Sequence, residues 1–136
     1  MKLAKSLILI LALFSISGCF GLFDSGVPWK DEPYILLWID VSDSVTLNYK
    51  LSDTASIQRV SEVVYSVGSN KDYIVAKQHP GGNKNITNYY IVDRDRDDQL
   101  ANISDVVTGP LNKKEFQEQA LTLSLPEFTF TLESLE

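Results

Sequence analysis

Only one cysteine, Cys19, and one histidine, His79, occur in this chain. A lone cysteine leaves no disulfide within the chain, so a folded domain must rest on an ordinary apolar core. The 44% apolar content allows one. A lone histidine excludes a multi-histidine metal site and leaves a single base on which a nucleophile–histidine–acid set could be built. Basic residues are scarce as well, with 12 Lys and Arg against 18 Asp and Glu and no basic run. That balance disfavours nucleic acid and anionic lipid as partners. Long apolar runs are also missing. The run from Leu7 to Ile16 is well short of the ~20 residues a membrane-spanning helix needs, and no later run is of spanning length.

What is present begins at the N-terminus. Met1 to Cys19 reads MKLAKSLILILALFSISGC, with Lys2 and Lys5 ahead of the apolar run and small residues behind it. This is the layout of a bacterial export signal. Ile16-Ser17-Gly18-Cys19 resembles the lipobox of bacterial lipoproteins, in which the Cys19 thiol takes a diacylglyceryl group and becomes the new N-terminus. Lipidation accounts for the lone cysteine and for its place directly after Ser-Gly. Two or three acyl chains, at ~0.8 kcal/mol per buried CH₂, make a firm membrane anchor. Residues 1–18 thus read as signal peptide, 19–33 as lipidated cysteine and tether, and 34–136 as one globular domain. Loss of Lys2 and Lys5 with the leader leaves 10 basic and 18 acidic residues, a charge of −8.

Along the remainder, Phe20–Pro33 has no steady period and reads as a spacer. Tyr34–Ile39 is a dense aromatic and β-branched run, suited to a strand buried on both faces. Val45, Leu47, Tyr49 and Leu51 alternate with polar residues, the pattern of a half-buried strand. Val60–Val67, Asp72–His79 and Thr87–Asp93 read as further strands, separated by polar turns. Asn112 stands three residues before Glu115, a capping box that starts a helix with Phe116, Ala120 and Leu123 on one face. Phe128–Leu132 alternates as a short last strand. The expectation is an α+β fold: a five- or six-stranded antiparallel meander with one C-terminal helix packed on it.

Three stretches, Asp72-Tyr-Ile-Val-Ala-Lys-Gln-His-Pro80, Asn88-Tyr-Tyr-Ile-Val-Asp93 and Gly109-Pro-Leu-Asn112 with Phe116, bring a family into view. They resemble, in order, the YIIAKQ strand, the YYIID strand and the GPL…EEF helix start of a family of small bacterial lipoproteins of unknown function. The likeness runs from about residue 34 to 125. It implies a lipid-anchored sheet-plus-helix domain, and it implies no reaction, cofactor or catalytic residue.

Candidate site residues are few. His79 ends a strand before Pro80 and reads as a surface or loop-packing residue. A functional role would pair it with Lys77, which alternation places on the face of Tyr73 and Val75. Lys77 itself would snorkel, pair with a carboxylate or touch a ligand. Asp93, Asp95 and Asp97 have the spacing of half a calcium loop, but Asp98 replaces the turn glycine and Ser104 the bidentate glutamate. A solvated hairpin turn is the expectation there. No residue is assigned to catalysis, metal or cofactor.

The functional expectation is a non-enzymatic, lipid-anchored module on the extracytoplasmic side that binds another envelope protein. In a Gram-negative envelope, Phe20 after Cys19 resembles the signal for release to the outer membrane, and that is the location expected there. The alternative is a small-ligand or glycan sensor that uses Trp38, Tyr89 and Tyr90. An esterase-like enzyme would need His79 beside an activated serine and a carboxylate.

Overall fold

The computed structural model describes residues 24–136. The leader, the lipobox and Cys19 lie outside the described residues. Among the described residues nine strands form two antiparallel sheets. Sheet A holds β1 (Ser25–Asp31), β2 (Tyr34–Ile39), β3 (Thr46–Lys50) and β4 (Ser56–Val60), side by side in chain order. Sheet B holds β5 (Val64–Ser69), β6 (Tyr73–Gln78), β7 (Asn88–Asp93), β8 (Val107–Leu111) and β9 (Phe130–Thr131), in the order β8-β7-β6-β5-β9. One turn of helix, α1 (Ile103–Val106), precedes β8, and α2 (Lys113–Thr122) follows it.

The single meander is therefore corrected to two, and the cause lies between Val60 and Val64. The expected strand Val60–Val67 is broken there, with Val60 ending sheet A and Val64 starting sheet B. At the break the backbone of Val63 pairs with that of His79 in both directions (3.0 and 2.9 Å), and Val64 N–H donates to Val45 O at 2.8 Å. The two sheets face each other across one core. Tyr34, Leu36, Leu47 and Val60 of sheet A meet Val64, Val67, Ile74, Ala76 and Val92 of sheet B. Leu135 closes the core from the C-terminal end. Each buried Val, Leu or Ile among them contributes about 1.5–3 kcal/mol by leaving water, which is how the domain holds without a disulfide.

Two expected boundaries move with this arrangement. The spacer reading ends early, because Ser25–Asp31 is an edge strand paired to β2 from Ser25↔Ile39 to Asp31↔Tyr34. Pro28 is tolerated there because an edge strand needs hydrogen-bond donors on one side only. Likewise Gly109 and Pro110 do not break the chain but sit in β8, an edge strand of sheet B.

The outer face of sheet B carries a second, smaller cluster. Val75 and Ile91 are buried, and the Tyr89 ring stacks on Phe116 at 4.9 Å, with Phe128 5.7 Å from Phe116. The capping box forms: Glu115 N–H donates to Asn112 Oδ1 at 2.9 Å, and Asn112 N–H to Glu115 Oε2 at 2.7 Å. Helix α2 nonetheless buries none of its residues. Ala120, expected on its sheet-facing side, is exposed, and Leu121 is 87% exposed. Gly68 explains how the returning chain lies so close. A Cβ on Gly68 would collide with the carbonyl of Glu127, which crosses β5 at that point.

Candidate functional site

Period-2 alternation in β2 sends Tyr34 and Leu36 into the core and Ile35, Leu37 and Ile39 to the outer face of sheet A. Ile35 is buried, so β2 is buried on both sides at its start as its composition suggests, and among the described residues the outer face opens only towards Leu37 and Ile39. It forms an open groove of about 760 Å³. Its floor is aliphatic: Ile35, Leu37 and Ile39 with Val27 from β1. Ile39 is 58% and Val27 49% exposed. The near end is Asp24, whose carbonyl accepts from Asp40 N–H at 2.7 Å. The far end is the β3–β4 hairpin, closed by Leu51 N–H to Ala55 O at 2.9 Å. Lys50 braces that end between Glu32 (3.4 Å) and Asp53 (3.3 Å). The Asp53 hydrogen bond first, and then the charge of Glu32, raise its ammonium above the usual lysine range. A floor of apolar side chains between charged ends is suited to an extended or chain-like apolar ligand, with polar contacts only at the rim.

A second polar constellation joins the two sheets. Arg59 of β4 reaches Asp97 through three contacts, the shortest 2.6 Å from Nη2 to Oδ1, and both side chains are fully buried. Arg59 Nη2 also donates to Asp98 O at 2.9 Å, and the Tyr34 hydroxyl donates to Asp97 Oδ2 at 2.9 Å. Burial first, and then the Asp97 carboxylate, push the Tyr34 phenol up. Nearby, Arg94 pairs with Asp31 at 2.6 Å and donates to Asn70 O at 2.8 Å. A hydrogen bond from Ser69, and then Arg94, hold the Asp31 carboxyl below its ordinary value against the cost of burial. The stretch Asp93–Asp98 is thus a turn with a solvated tip at Asp95 and Arg96, as expected, and at Arg94 and Asp97 it also clasps the two sheets together. Arg94 does more than offset charge, and the Asp97 carboxylate is committed to Arg59 and Tyr34. Among the described residues no group of three or more acidic, His or Cys side chains has metal-binding geometry.

The residues singled out from sequence do not share a site. His79 is buried and stacked on Tyr65 at 4.2 Å, with Nδ1 donating to Ile86 O at 2.8 Å, the only sense that a carbonyl acceptor permits. Among the described residues its Nε2 is buried without a hydrogen-bond partner, and no serine hydroxyl bonds it. Lys77 lies on the opposite side of sheet B from the core, its ammonium 4.7 Å from the centre of the Phe128 ring. Trp38 belongs to sheet A and packs on the core, with Gly26 against its ring. Tyr89 and Tyr90, adjacent in β7, point to opposite faces of sheet B. Tyr89 joins Phe116, whereas the hydroxyl of Tyr90 donates to Gln78 Oε1 at 3.1 Å. The three rings proposed for a glycan platform do not converge.

Sequence reasoning missed both the groove and the clasp. A signal existed for the groove: Ile35, Leu37 and Ile39 alternate with core residues, so a face of β2 needed a cover that the short chain does not obviously supply.

A family model described as a protein of unknown function (DUF3997) matches residues 31–136. No curated protein and no solved structure matches the chain.

Proposed function

Starting from a chain that belongs to the DUF3997 family of proteins of unknown function, we propose that it is a lipid-anchored module on the extracytoplasmic side of a bacterial membrane that binds another envelope protein. The observation that carries this reading is the lipobox, with Cys19 directly after Ser-Gly at the end of an apolar leader. The fold supports it in one respect. Asp24 already belongs to the groove on sheet A, so an anchor on Cys19 would keep that face within about 18 Å of the lipid, the reach of five extended residues. An open aliphatic face close to a membrane is suited to an apolar segment of a neighbouring membrane protein. In a Gram-negative cell the same lipobox, followed by Phe20, favours the outer membrane.

The test has two parts. Labelled palmitate should enter the wild-type protein and not the Cys19→Ser variant. A photo-crosslinking residue at Leu37 should then capture one dominant envelope protein from intact cells, and the same residue at Leu121 should not. Absence of label from the wild type overturns the anchor. Equal capture at both positions, or none at either, overturns the partner surface.

A further inference from the structure

We propose that the envelope protein met by the sheet A groove presents a juxtamembrane segment, with one or two Lys or Arg residues at the bilayer surface and about four apolar residues beyond them. This partner chemistry rests on the anchored-module reading above. Placement supports it. β1 and β2 are antiparallel, with Ser25 opposite Ile39 and Asp31 opposite Tyr34, so the chain enters sheet A at the Ile39 end. On an anchored domain that end lies nearest the lipid. Exposure along β2 points the same way. Ile35 is 7% exposed and Ile39 58%. Val27 and Val41 are also about half exposed, and Val41 N–H donates to Ile39 O at 2.7 Å. Three open aliphatic side chains thus gather at the entry end, against Leu51 alone at the other.

Charge fixes what else the segment must carry. At the far end acids and bases balance: Lys50 lies between Glu32 and Asp53, and Lys30 stands in register with Ile35. The entry end has three exposed carboxylates, Asp24 and, in the turn after β2, Asp40 and Asp43. Among the described residues no Lys, Arg or His nitrogen comes within 4.0 Å of any of them. The turn is held to the groove by Asp40 N–H to Asp24 O at 2.7 Å, and closed by Ser44 N–H to Val41 O at 3.0 Å. A complementary segment therefore places its cations at this end and none beside Lys30, which sets the direction in which it lies. Lys and Arg suit the entry end because their apolar stems run along aliphatic side chains while the charge stays at the rim. Four extended residues then cover the floor from Ile39 to Ile35, about 13 Å of strand. A second copy of this chain, with 18 Asp and Glu against 12 Lys and Arg, is a poor match for an acidic end.

Peptide capture by the full chain in nonionic detergent tests this. The probes are Lys-Lys-Leu-Val-Leu-Val and Glu-Glu-Leu-Val-Leu-Val, both with blocked ends and a biotin tag. A photo-crosslinking residue is placed at Ser42, exposed in the turn beside Asp43, or at Leu121 as a remote apolar control. At Ser42 the lysine peptide should half-saturate capture at about a tenth of the concentration the glutamate peptide needs, and at Leu121 the two should not differ. Asp24→Asn, Asp40→Asn and Asp43→Asn together should bring the two peptides level at Ser42. Asn is accepted at position 40, where φ is 65°, in the left-handed region. Salt gives the same test without substitution: raising it from about 0.02 to about 0.5 M should erase the preference in the parent. Equal capture of the two peptides, capture of neither, or an equal preference at Leu121 overturns the inference. A preference that survives salt or the asparagine substitutions overturns it as well. Palmitate labelling is scored on the same chain without peptide. Label without the lysine preference overturns this inference alone, and the preference without label overturns only the anchor.

Discussion

Asp93, Asp95 and Asp97 are the same residue type at the same spacing, and nothing local to the chain separates them. The fold does. Asp93 Oδ1 accepts from the backbone of Asp95 and Arg96, the ordinary work of a turn, whereas Asp97 is the buried partner of Arg59 thirty-eight residues away. That pairing was not legible because its cause is the approach of two sheets, and polar runs between strands are solvated by default. The same holds for Arg59, which no local pattern marks as buried. Removing one partner leaves an uncompensated buried charge, so Asp97→Ala should cost about 3–5 kcal/mol in urea unfolding. Replacing the whole set with Arg59→Met, Asp97→Leu and Tyr34→Phe should recover most of that loss, since no polar group is then stranded. Full cost in the triple variant would show that the clasp is itself stabilising.

Asp31 makes a separate, pH-dependent contribution. Its folded value is lowered, so the native state favours the carboxylate, and the stability this adds is complete above the ordinary carboxylate value of about 3.9. It is lost as the pH falls through the folded value. Because the side chain is 39% exposed, solvent screening keeps the gain under about 1 kcal/mol. Asp31→Asn should therefore be slightly less stable than the parent at neutral pH, and the two unfolding midpoints should converge as the pH falls below the ordinary carboxylate range. A difference that persists there would assign the effect to packing rather than charge.

Among the elements, those with an unambiguous local signal were legible. Tyr34–Ile39 became β2 with the same bounds, and the Asn112–Glu115 capping box became the start of α2. β1 and β8 were hidden by Pro28 and by Gly109-Pro110, residues that weaken a strand reading but are permitted on an edge. The separation of β4 from β5 was hidden because Val60–Val67 has strand composition throughout, while the break is made by tertiary pairing with His79. Helix α2 is weakly held, since none of its residues is buried. Phe116→Ala should cost about 2 kcal/mol, roughly half the loss at a fully buried phenylalanine, and should remove hydrogen-exchange protection from residues 113–122 while β6 and β7 keep theirs. Gly68→Ala should act differently, because it forces the Glu127 carbonyl away from β5. A loss of about 1–3 kcal/mol should be accompanied by fraying of β9 against β5. Unchanged exchange at Thr131 would mean that the crossing chain can shift without leaving the sheet.

At the scale of the whole molecule, the sequence made a β-rich domain with a little helix legible, but not the pairing of two sheets, which no single segment encodes. It also led to a site reading spread over residues that the fold sends to different faces, because strand alternation fixes which neighbours share a side but not which sheet they join. The groove arises from the opposite circumstance, a face of β2 that stays open towards Leu37 and Ile39 once both sheets are formed.

The edge position of β1 has a mechanical consequence. If Cys19 is the anchor, any pull between membrane and domain arrives through Asp24 and is borne by the five residue pairs between β1 and β2. A pull along the strand loads those pairs together, as in shear. A pull away from the sheet opens them one at a time from Ser25↔Ile39, as in a zip. The direction of force would then decide whether the domain stays whole or surrenders its first strand, and with it one wall of the groove.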